Sequence, residues 1–331
     1  MDFGDILTTA LNQALGPNAI VYALAAIGLN IHFGYTGLLN FGQAGFMAVG
    51  AYGLAVTVVI VGLPFWAGVA MSFLAAFALA LVLGFPTLRL RADYLAIATI
   101  AAAEILRLVF GSVEMKDTFG GSNGLTGYSS AYKDLNPYSE GLDLGAISFS
   151  RDDLWNVTVG WALVALSCLV VWALMRSPWG RVLRAIREDE DAVRSLGKNV
   201  FAYKMQALIL GGMFGGMAGL YFALKQASVV PSQYNTQLTF FAYTALLVGG
   251  AARVLGPVLG AVIYWFLLSA LGAFFAQATS GEDPLLPTWA MDDTQASLVR
   301  FLVTGLALML LMIYRPQGIF GDRRELAIDG R

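Results

Sequence analysis

Two ionisable residues, Glu104 and Arg107, stand inside the apolar run 92–111. Residues three positions apart share one face of a helix, so the carboxylate and the guanidinium can form an ion pair. Charges inside a membrane span are costly and usually face protein or a water-filled cavity. We therefore expect both groups to be buried within protein rather than among lipid. The pair is either a structural ion pair or part of a permeation path.

A polar, glycine-rich stretch interrupts apolar sequence at 34–45. Irregular backbone at membrane depth is tolerated only where protein or a water-filled cavity surrounds it, and broken helices often line transport pathways. We expect the stretch 37–45 to be at least partly non-helical and to lie near a pore. A plain turn between helices is the alternative. The pathway residues predicted here are Gly37, Asn40, Gly42 and Gln43.

Two motif matches do not indicate a catalytic site or a nucleotide-binding site. Gly121, Ser122 and Asn123 belong to a Gly-x-Ser-x-Gly pattern, but the only histidine, His32, precedes the serine by 90 residues. We interpret these residues as a glycine-rich external loop. The segment 196–199 lacks the glycine and the hydroxyl of a phosphate-binding loop. We expect a chain that is not an enzyme and that binds no metal and no cofactor of its own.

The composition indicates a polytopic membrane protein. Hydrophobic residues form 58% of the 331 residues and charged residues 13%, and no Asp, Glu, Lys or Arg occurs from Ile6 to Leu88. So few charges cannot cover a water-soluble surface. The nearly balanced 20 basic and 22 acidic residues give no basic footprint for nucleic acid. The expected surroundings are a lipid bilayer.

Long apolar runs predict an all-α bundle of about nine spans, some of them broken. The spans are 18–34, 44–62, 65–85, 92–111, 153–175, 202–224, 237–252, 258–276 and 297–314. The seventh is short and could cross only halfway. Residues 2–16 could form a short surface helix.

Basic residues indicate the orientation, because cytoplasmic loops collect Lys and Arg. They concentrate at Arg89 and Arg91, at 176–204, and in the tail 315–331. Nine spans put these three clusters on the cytoplasmic side and the loops 112–152 and 277–296 outside. The N-terminus is then outside and the C-terminus cytoplasmic.

The sixth span carries five glycines at 211–219 that form overlapping Gly-x-x-x-Gly spacings. Such spacings let helix backbones approach closely in lipid. They predict tight packing inside one subunit or, alternatively, a subunit interface.

The segment 176–200 predicts a polar helix from Pro178 to Leu196. Ser177 suits the N-cap, proline the first helical position and Gly197 the C-terminal cap. A stripe of basic residues (Arg181, Arg184 and Arg187) precedes an acidic run (Glu188, Asp189, Glu190 and Asp191). Such a helix is either a solvated linker or a docking surface, and its apolar residues (Val182, Leu183, Ile186, Val193 and Leu196) are expected to anchor any partner.

These stretches together resemble the membrane permeases of branched-chain amino-acid ABC importers, and among them the LivM-type subunit. The likeness is carried by Gly34-Tyr-Thr-Gly-Leu-Leu-Asn-Phe-Gly-Gln-Ala-Gly-Phe, Arg91-Ala-Asp-Tyr-Leu-Ala-Ile-Ala-Thr, Glu104-Ile-Leu-Arg107, Gly120-Gly-Ser-Asn-Gly-Leu-Thr-Gly and Ser177-Pro-Trp-Gly-Arg-Val-Leu-Arg-Ala-Ile-Arg-Glu-Asp-Glu. Asp191-Ala-Val-Arg-Ser-Leu-Gly197 keeps the spacing of the family's coupling signature, with Asp for Glu and Val for the second Ala.

The resemblance implies a single permease domain, 1–331, that forms half of a pore in the bacterial inner membrane. Its implied partners are a second, related permease, two cytoplasmic ATPase subunits that hold ATP and Mg, and an external binding protein. It also implies that the segment 176–200 couples to the ATPases. The alternatives are transport of urea or short amides and, in a different class, an autonomous secondary carrier or channel.

Overall fold

The computed structural model describes residues 3–90, 92–143, 145, 147–280 and 293–321. This part of the chain is mostly helical. The helices are α1 Phe3–Leu15, α2 Pro17–Leu29, α3 Gln43–Val59, α4 Phe65–Thr87, α5 Ala92–Gly111, α6 Lys116–Phe119, α7 Ser130–Asp134, α8 Arg151–Arg176, α9 Pro178–Glu188, α10 Glu190–Ser195, α11 Val200–Gln226, α12 Thr236–Gly249, α13 Gly256–Ser280 and α14 Asp293–Tyr314.

Four two-residue strands lie in the connections. Strand β1 (Leu125–Thr126) pairs antiparallel with β4 (Ser228–Val229), and β2 (Leu142–Asp143) pairs antiparallel with β3 (Ser148–Phe149). The β1–β4 pair ties the connection after α5 to the end of α11.

Six helices of the described chain are long and apolar enough to cross a membrane: Pro17–Tyr35, Phe65–Thr87, Asp93–Gly111, Arg151–Arg176, Val200–Gln226 and Gly256–Thr279. Each overlaps one predicted span. The other three predicted spans correspond to shorter apolar helices, Gln43–Val59, Thr236–Gly249 and Leu298–Tyr314. The helical bundle expected from the sequence is therefore present, and two of its members, α3 and α12, are shorter than expected.

The bundle has an inner and an outer set of helices. In the most apolar stretch of each helix, 89% of the residues are buried in the span that contains α2 and 72% in α11. The corresponding share is only 22% in α5 and in α8. Apolar side chains of α8 such as Leu166 and Leu169 are exposed. The outer helices therefore present apolar faces to their surroundings, as helices in a bilayer do.

The five glycines of α11 pack inside the chain. A methyl group on Gly212 would lie 2.5 Å from the Phe46 ring, and one on Gly219 would overlap the backbone carbonyl of Met47 in α3. Close approach of backbones is the reason for glycine at these positions. Of the two interpretations of this motif, the structure supports packing within one subunit.

Arg89 and the basic segment 176–204 share a face of the described bundle, and the start of the tail reaches the same face at Phe320. Arg89 lines a cavity together with Lys198, and Phe320 lines another together with Arg184. We call this the basic face. On the opposite face, the backbone N–H of Ser148 donates to Asn12 Oδ1 of α1 at 3.0 Å.

The helix expected at 2–16 is present as α1. Three of its residues (Ile6, Ala10 and Ala14) are buried, and it packs on α13. Predicted features at Arg91, at 281–292 of the second external loop and at 322–331 of the tail lie outside the described residues.

Candidate functional site

The polar stretch after α2 breaks the helical path of the chain. Residues Asn30–Tyr35 form a π-helical turn, residues 37–42 are not helical, and α3 begins at Gln43. Gly37 has φ +73°, a left-handed conformation that glycine adopts without strain. The prediction of partly non-helical backbone in 37–45 is confirmed.

A buried polar cluster holds this stretch in place. His32 Nε2 lies 3.1 Å from the carbonyl oxygen of Leu208 in α11, and its Nδ1 lies 3.0 Å from Asn40 Nδ2. A carbonyl only accepts, so Nε2 carries the proton and Nδ1 accepts from the Asn40 amide. Gln43 Nε2 donates to the carbonyl oxygens of Ala25 at 3.2 Å and Gly211 at 3.4 Å.

Other helices satisfy the remaining backbone groups of the stretch. The N–H of Phe41 donates to Thr99 Oγ1 at 3.0 Å, and the N–H of Ala44 donates to Thr239 Oγ1 at 2.9 Å. The Tyr243 hydroxyl donates to the carbonyl oxygen of Asn40 at 2.9 Å. Buried backbone groups without such partners would be strongly destabilising at membrane depth.

These contacts determine where the predicted pathway residues lie. The side chains of Asn40 and Gln43 are fully buried, so in this conformation both face the chain's own interior. A methyl group on Gly42 would lie 2.6 Å from the carbonyl oxygen of Thr99. Gly42 is therefore needed for close packing of the stretch against α5, whatever else it does.

The segment 176–200 forms two helices where a single one was expected. Its backbone turns out of the helix at Asp189, with φ −154° and ψ 103°, and Asp189 Oδ1 accepts from the N–H groups of Asp191 and Ala192 at 2.9 and 3.0 Å. Asp189 thus ends α9 and caps α10. Ser177 precedes Pro178 at the N-cap, but its hydroxyl donates back to Leu174 O. Gly197 has φ +76° after α10, as expected for a C-terminal cap.

The apolar residues of this segment do not form one outward face. Leu183, Ile186 and Val193 are buried against the bundle, Val182 is half-buried, and Leu196 is 80% exposed. The expectation that all five would anchor a partner is wrong for the three buried ones, because they already pack inside this chain. Arg181, Arg184, Glu188, Asp189 and Asp191 are exposed.

Arg187 joins this segment to the broken stretch. Its Nη1 donates to the carbonyl oxygen of Gly34, and a methyl group on Gly37 would lie 3.3 Å from Arg187 Cγ. Glu190 Oε2 pairs with Lys204 of α11. A cavity of about 290 Å³ separates α9 and α10 from Gly37 and the end of α4. The Arg187 guanidinium therefore links this segment to the π-helical turn beside the cavity.

Glu104 and Arg107 form the predicted ion pair. Arg107 Nη2 lies 2.5 Å from Glu104 Oε1, and Arg107 Nε donates to Glu104 Oε2 at 2.9 Å. The two side chains are 41% and 26% exposed, beside exposed apolar residues of α5 such as Ile105. This chain alone does not bury them, so the expected burial requires another molecule on the outer face of α5.

The glycine turn predicted to be external lies close to this pair. Gly121–Asn123 forms a 3₁₀ turn, and Gly120, Gly121 and Gly124 all have positive φ. Ser122 is exposed and lines a cavity of about 220 Å³ together with Arg107 and Ser232. The structure thus brings together Arg107 and Ser122, which the sequence separates. Among the described residues, no three histidine, cysteine or carboxylate side chains form a group that could hold a metal ion.

Sequence reasoning missed the residues that fix the broken stretch. From the sequence, His32 is assessed only as a catalytic partner for Ser122, and Thr99, Thr239 and Tyr243 are not singled out. Polar side chains within otherwise apolar spans were the available signal, since such groups need partners in a membrane.

Comparisons with known proteins extend over almost the whole chain. A family profile described as "Branched-chain amino acid transport system / permease component" matches residues 17–313. The high-affinity branched-chain amino acid transport system permease protein LivM of Salmonella typhimurium is 31% identical over 311 residues, covering 91% of this chain and 68% of the relative. Its Escherichia coli counterpart is 31% identical over 319 residues with the same coverage. A probable branched-chain amino acid transport permease protein LivM of Methanocaldococcus jannaschii is 24% identical over 343 residues, covering 92% of this chain and 91% of the relative.

Proposed function

Because this chain belongs to the family of branched-chain amino-acid transport permeases, we propose that it is one permease subunit of an ATP-driven importer for leucine, isoleucine and valine. It forms half of the translocation pathway and does no chemistry itself. A second, related permease completes the pore, two cytoplasmic ATPases bind ATP and Mg, and an external protein delivers the substrate.

The outer face of α5 is proposed to line this pathway. Glu104 and Arg107 form an exposed ion pair on an otherwise apolar, membrane-length helix. Lipid around such a pair is unfavourable, so we infer a second permease and water on this face. The cavity shared by Arg107 and Ser122 opens the same face toward the external turn.

The contact between Arg187 and Gly34 is the observation that carries the coupling part of the proposal. When the ATPases move α9 and α10, this bond transmits the displacement to the π-helical turn, and through it to the non-helical residues 37–42 that follow. Asn40 and Gln43 act in this scheme by holding the stretch together, since both are buried and hydrogen-bonded. The surface offered to the ATPases is Leu196 with four exposed charged residues, Arg181, Glu188, Asp189 and Asp191.

We propose nine membrane crossings, in which the basic face is cytoplasmic and α1 is external. The nine apolar helices α2, α3, α4, α5, α8, α11, α12, α13 and α14 supply these crossings. Thr236–Gly249 is short, but the polar stretches at both of its ends extend the path of the chain. Labelling of single cysteines placed at Ser122 and at Lys198 from each side of sealed vesicles tests this orientation.

The transport proposal is tested with proteoliposomes that contain this chain, the second permease and the ATPases. We expect uptake of radiolabelled leucine only with ATP at the cytoplasmic side and binding protein at the other. Urea in place of leucine, with its own binding protein, tests the alternative substrate. Leucine uptake by this chain alone, driven by an ion gradient without ATP, would instead support a secondary carrier.

The coupling contact is tested with Arg187→Met, which keeps the apolar stem beside Gly37 and removes the guanidinium. Hydrogen bonds of charged groups contribute about 1.5–3 kcal/mol, so we expect the leucine transported per ATP to fall by roughly tenfold or more while ATP hydrolysis continues. Arg89→Met, at the same face but outside the segment, is the matched control. Equal transport ratios in both variants would contradict this route.

A further inference from the structure

A second cavity at the basic face lies between α8, α9 and the loop before α13. Its volume is about 730 Å³. The C-terminal half of α8 forms one wall, Arg184 of α9 closes one end, and the loop 252–255 forms the opposite wall. The transport proposal makes no use of this cavity.

The polar end of the cavity is lined by arginine side chains. Arg176, Arg184 and Arg253 line it, and no acidic residue is among the described residues that do so. The Arg176 guanidinium lies 4.3 Å from the centre of the Trp172 ring, and Arg184 lies 5.7 Å from the centre of the Tyr35 ring while donating to the carbonyl oxygen of Met175 at 3.2 Å. Both guanidinium groups lie within cation–π distance of a ring, which helps to position their N–H groups for a ligand.

The neighbouring cavity at Arg89 differs in its charge balance. It also contains Arg194 and Lys204, but Glu190 pairs with both of these cations. Neither Arg176 nor Arg184 has a carboxylate within 4 Å anywhere in the described part of the chain. The α8 cavity therefore attracts an anion more strongly than its neighbour does.

The rest of the cavity lining is largely apolar and in part exposed. Leu169 is 60% exposed and Leu255 59% exposed, and both line the cavity with Trp172. Leu169 and Trp172 belong to a membrane-length helix whose outer face is apolar. A ligand that fits the whole cavity therefore carries a negative charge, which binds the guanidinium groups, and a hydrocarbon chain, which packs beside α8.

We propose that this cavity binds an anionic phospholipid of the cytoplasmic leaflet. Its phosphate lies on Arg176 and Arg184, and one acyl chain follows Leu169 and Trp172. Basic pockets between membrane helices on the cytoplasmic side suit anionic headgroups, and the planar guanidinium matches phosphate oxygens. The inference depends on the proposed orientation but not on the transported substrate. Because Arg184 belongs to α9, the lipid would also bridge the coupling segment and α8.

The test uses the assembled complex of both permeases and both ATPases, with native mass spectrometry as the readout. The probes are phosphatidylglycerol and phosphatidylcholine of the same acyl chains. We expect phosphatidylglycerol to be retained and phosphatidylcholine to be lost. Basic residues near a membrane surface attract anionic lipid, so the double variant Arg176→Gln, Arg184→Gln should bind phosphatidylglycerol at least about tenfold more weakly. Arg89→Gln, which removes one charge from the neighbouring cavity, should bind it as the unmodified chain does.

A second variant tests the proposal independently of whether the double arginine variant folds. Leu169→Trp leaves every charge in place and narrows the acyl end of the cavity, so it should also weaken retention. Equal retention of the two lipids, or full retention by both variants, would overturn the proposal. Displacement of phosphatidylglycerol by millimolar inorganic phosphate would assign the cavity to a free anion. Retention only after removal of the ATPases would assign it to an ATPase contact. Lipid mass is measured independently of leucine uptake, so failure here leaves the transport proposal unaffected.

Discussion

Replacement of His32 by leucine probes the cluster that holds the broken stretch. The imidazole makes two buried hydrogen bonds, at 3.1 Å to the carbonyl oxygen of Leu208 and at 3.0 Å to Asn40 Nδ2. The Leu208 carbonyl keeps its place in α11, so the first loss costs about 0.5–1.5 kcal/mol. The amide of Asn40 keeps only a 3.5 Å contact to Gln43, so the second loss leaves a nearly unpaired buried donor at about 1–3 kcal/mol.

Together these losses predict a destabilisation of roughly 1.5–4.5 kcal/mol. For a chain of this size we expect the thermal midpoint of the monodisperse protein in detergent to fall by roughly 3–9 °C. Ser72→Ala is the matched control, because Ser72 is equally buried but its hydroxyl bonds only to Gly68 O of its own helix. A His32→Leu midpoint equal to that of Ser72→Ala would refute the assignment of this cluster as the lock on the stretch.

Three further variants test the coupling segment and the ion pair. Gly197→Val should lower ATPase activation by the binding protein, because the φ of +76° costs residues other than glycine roughly 1–2 kcal/mol. No atom of the described residues lies within 4 Å of an added Cβ, so the effect comes from the backbone conformation and not from a clash. Gly197→Asn should therefore be milder. Leu196→Asp should release the ATPases in pull-down experiments without loss of folded protein, because the Leu196 side chain is exposed. Ile186→Asp should lower the folded yield, because the Ile186 side chain is buried. Glu104→Gln should reduce leucine uptake more than Glu140→Gln on the external loop, and equal uptake would argue against a role for the pair in the pathway.

Sequence patterns located the spans and the broken stretch but not the direction of every side chain. Continuous apolar runs are sufficient to place helices, and glycines with polar residues at 34–45 were sufficient to predict the interruption. The same pattern could not tell whether Asn40 and Gln43 face a pathway or each other. Polar atoms at membrane depth can be satisfied by water or by protein, and only the positions of α5, α11 and α12 decide between them.

The prediction of a single helix over 178–196 was wrong for a related reason. Its apolar residues predict an amphipathic helix, but amphipathicity does not say whether the apolar side meets a partner or the chain itself. Leu183 and Ile186 pack inward, and Asp189 ends the helix by capping the next one. An aspartate within an acidic run is compatible with a helix interior or with a cap, so the break was not visible in the sequence.

The polar cluster also sets an order for biogenesis. His32 and its partner Leu208 are 176 residues apart, and Asn30 donates to the carbonyl oxygen of Arg253, 223 residues further on. At a synthesis rate of about 5–20 residues per second, His32 waits roughly 9–35 s for its partner after it is made. The span Pro17–Tyr35 also has the lowest mean hydropathy of the six membrane-length helices, 1.2. Of these six helices, the one that is made earliest therefore depends on later ones to be stable in lipid, and we expect it to stay beside the translocon until α11 arrives.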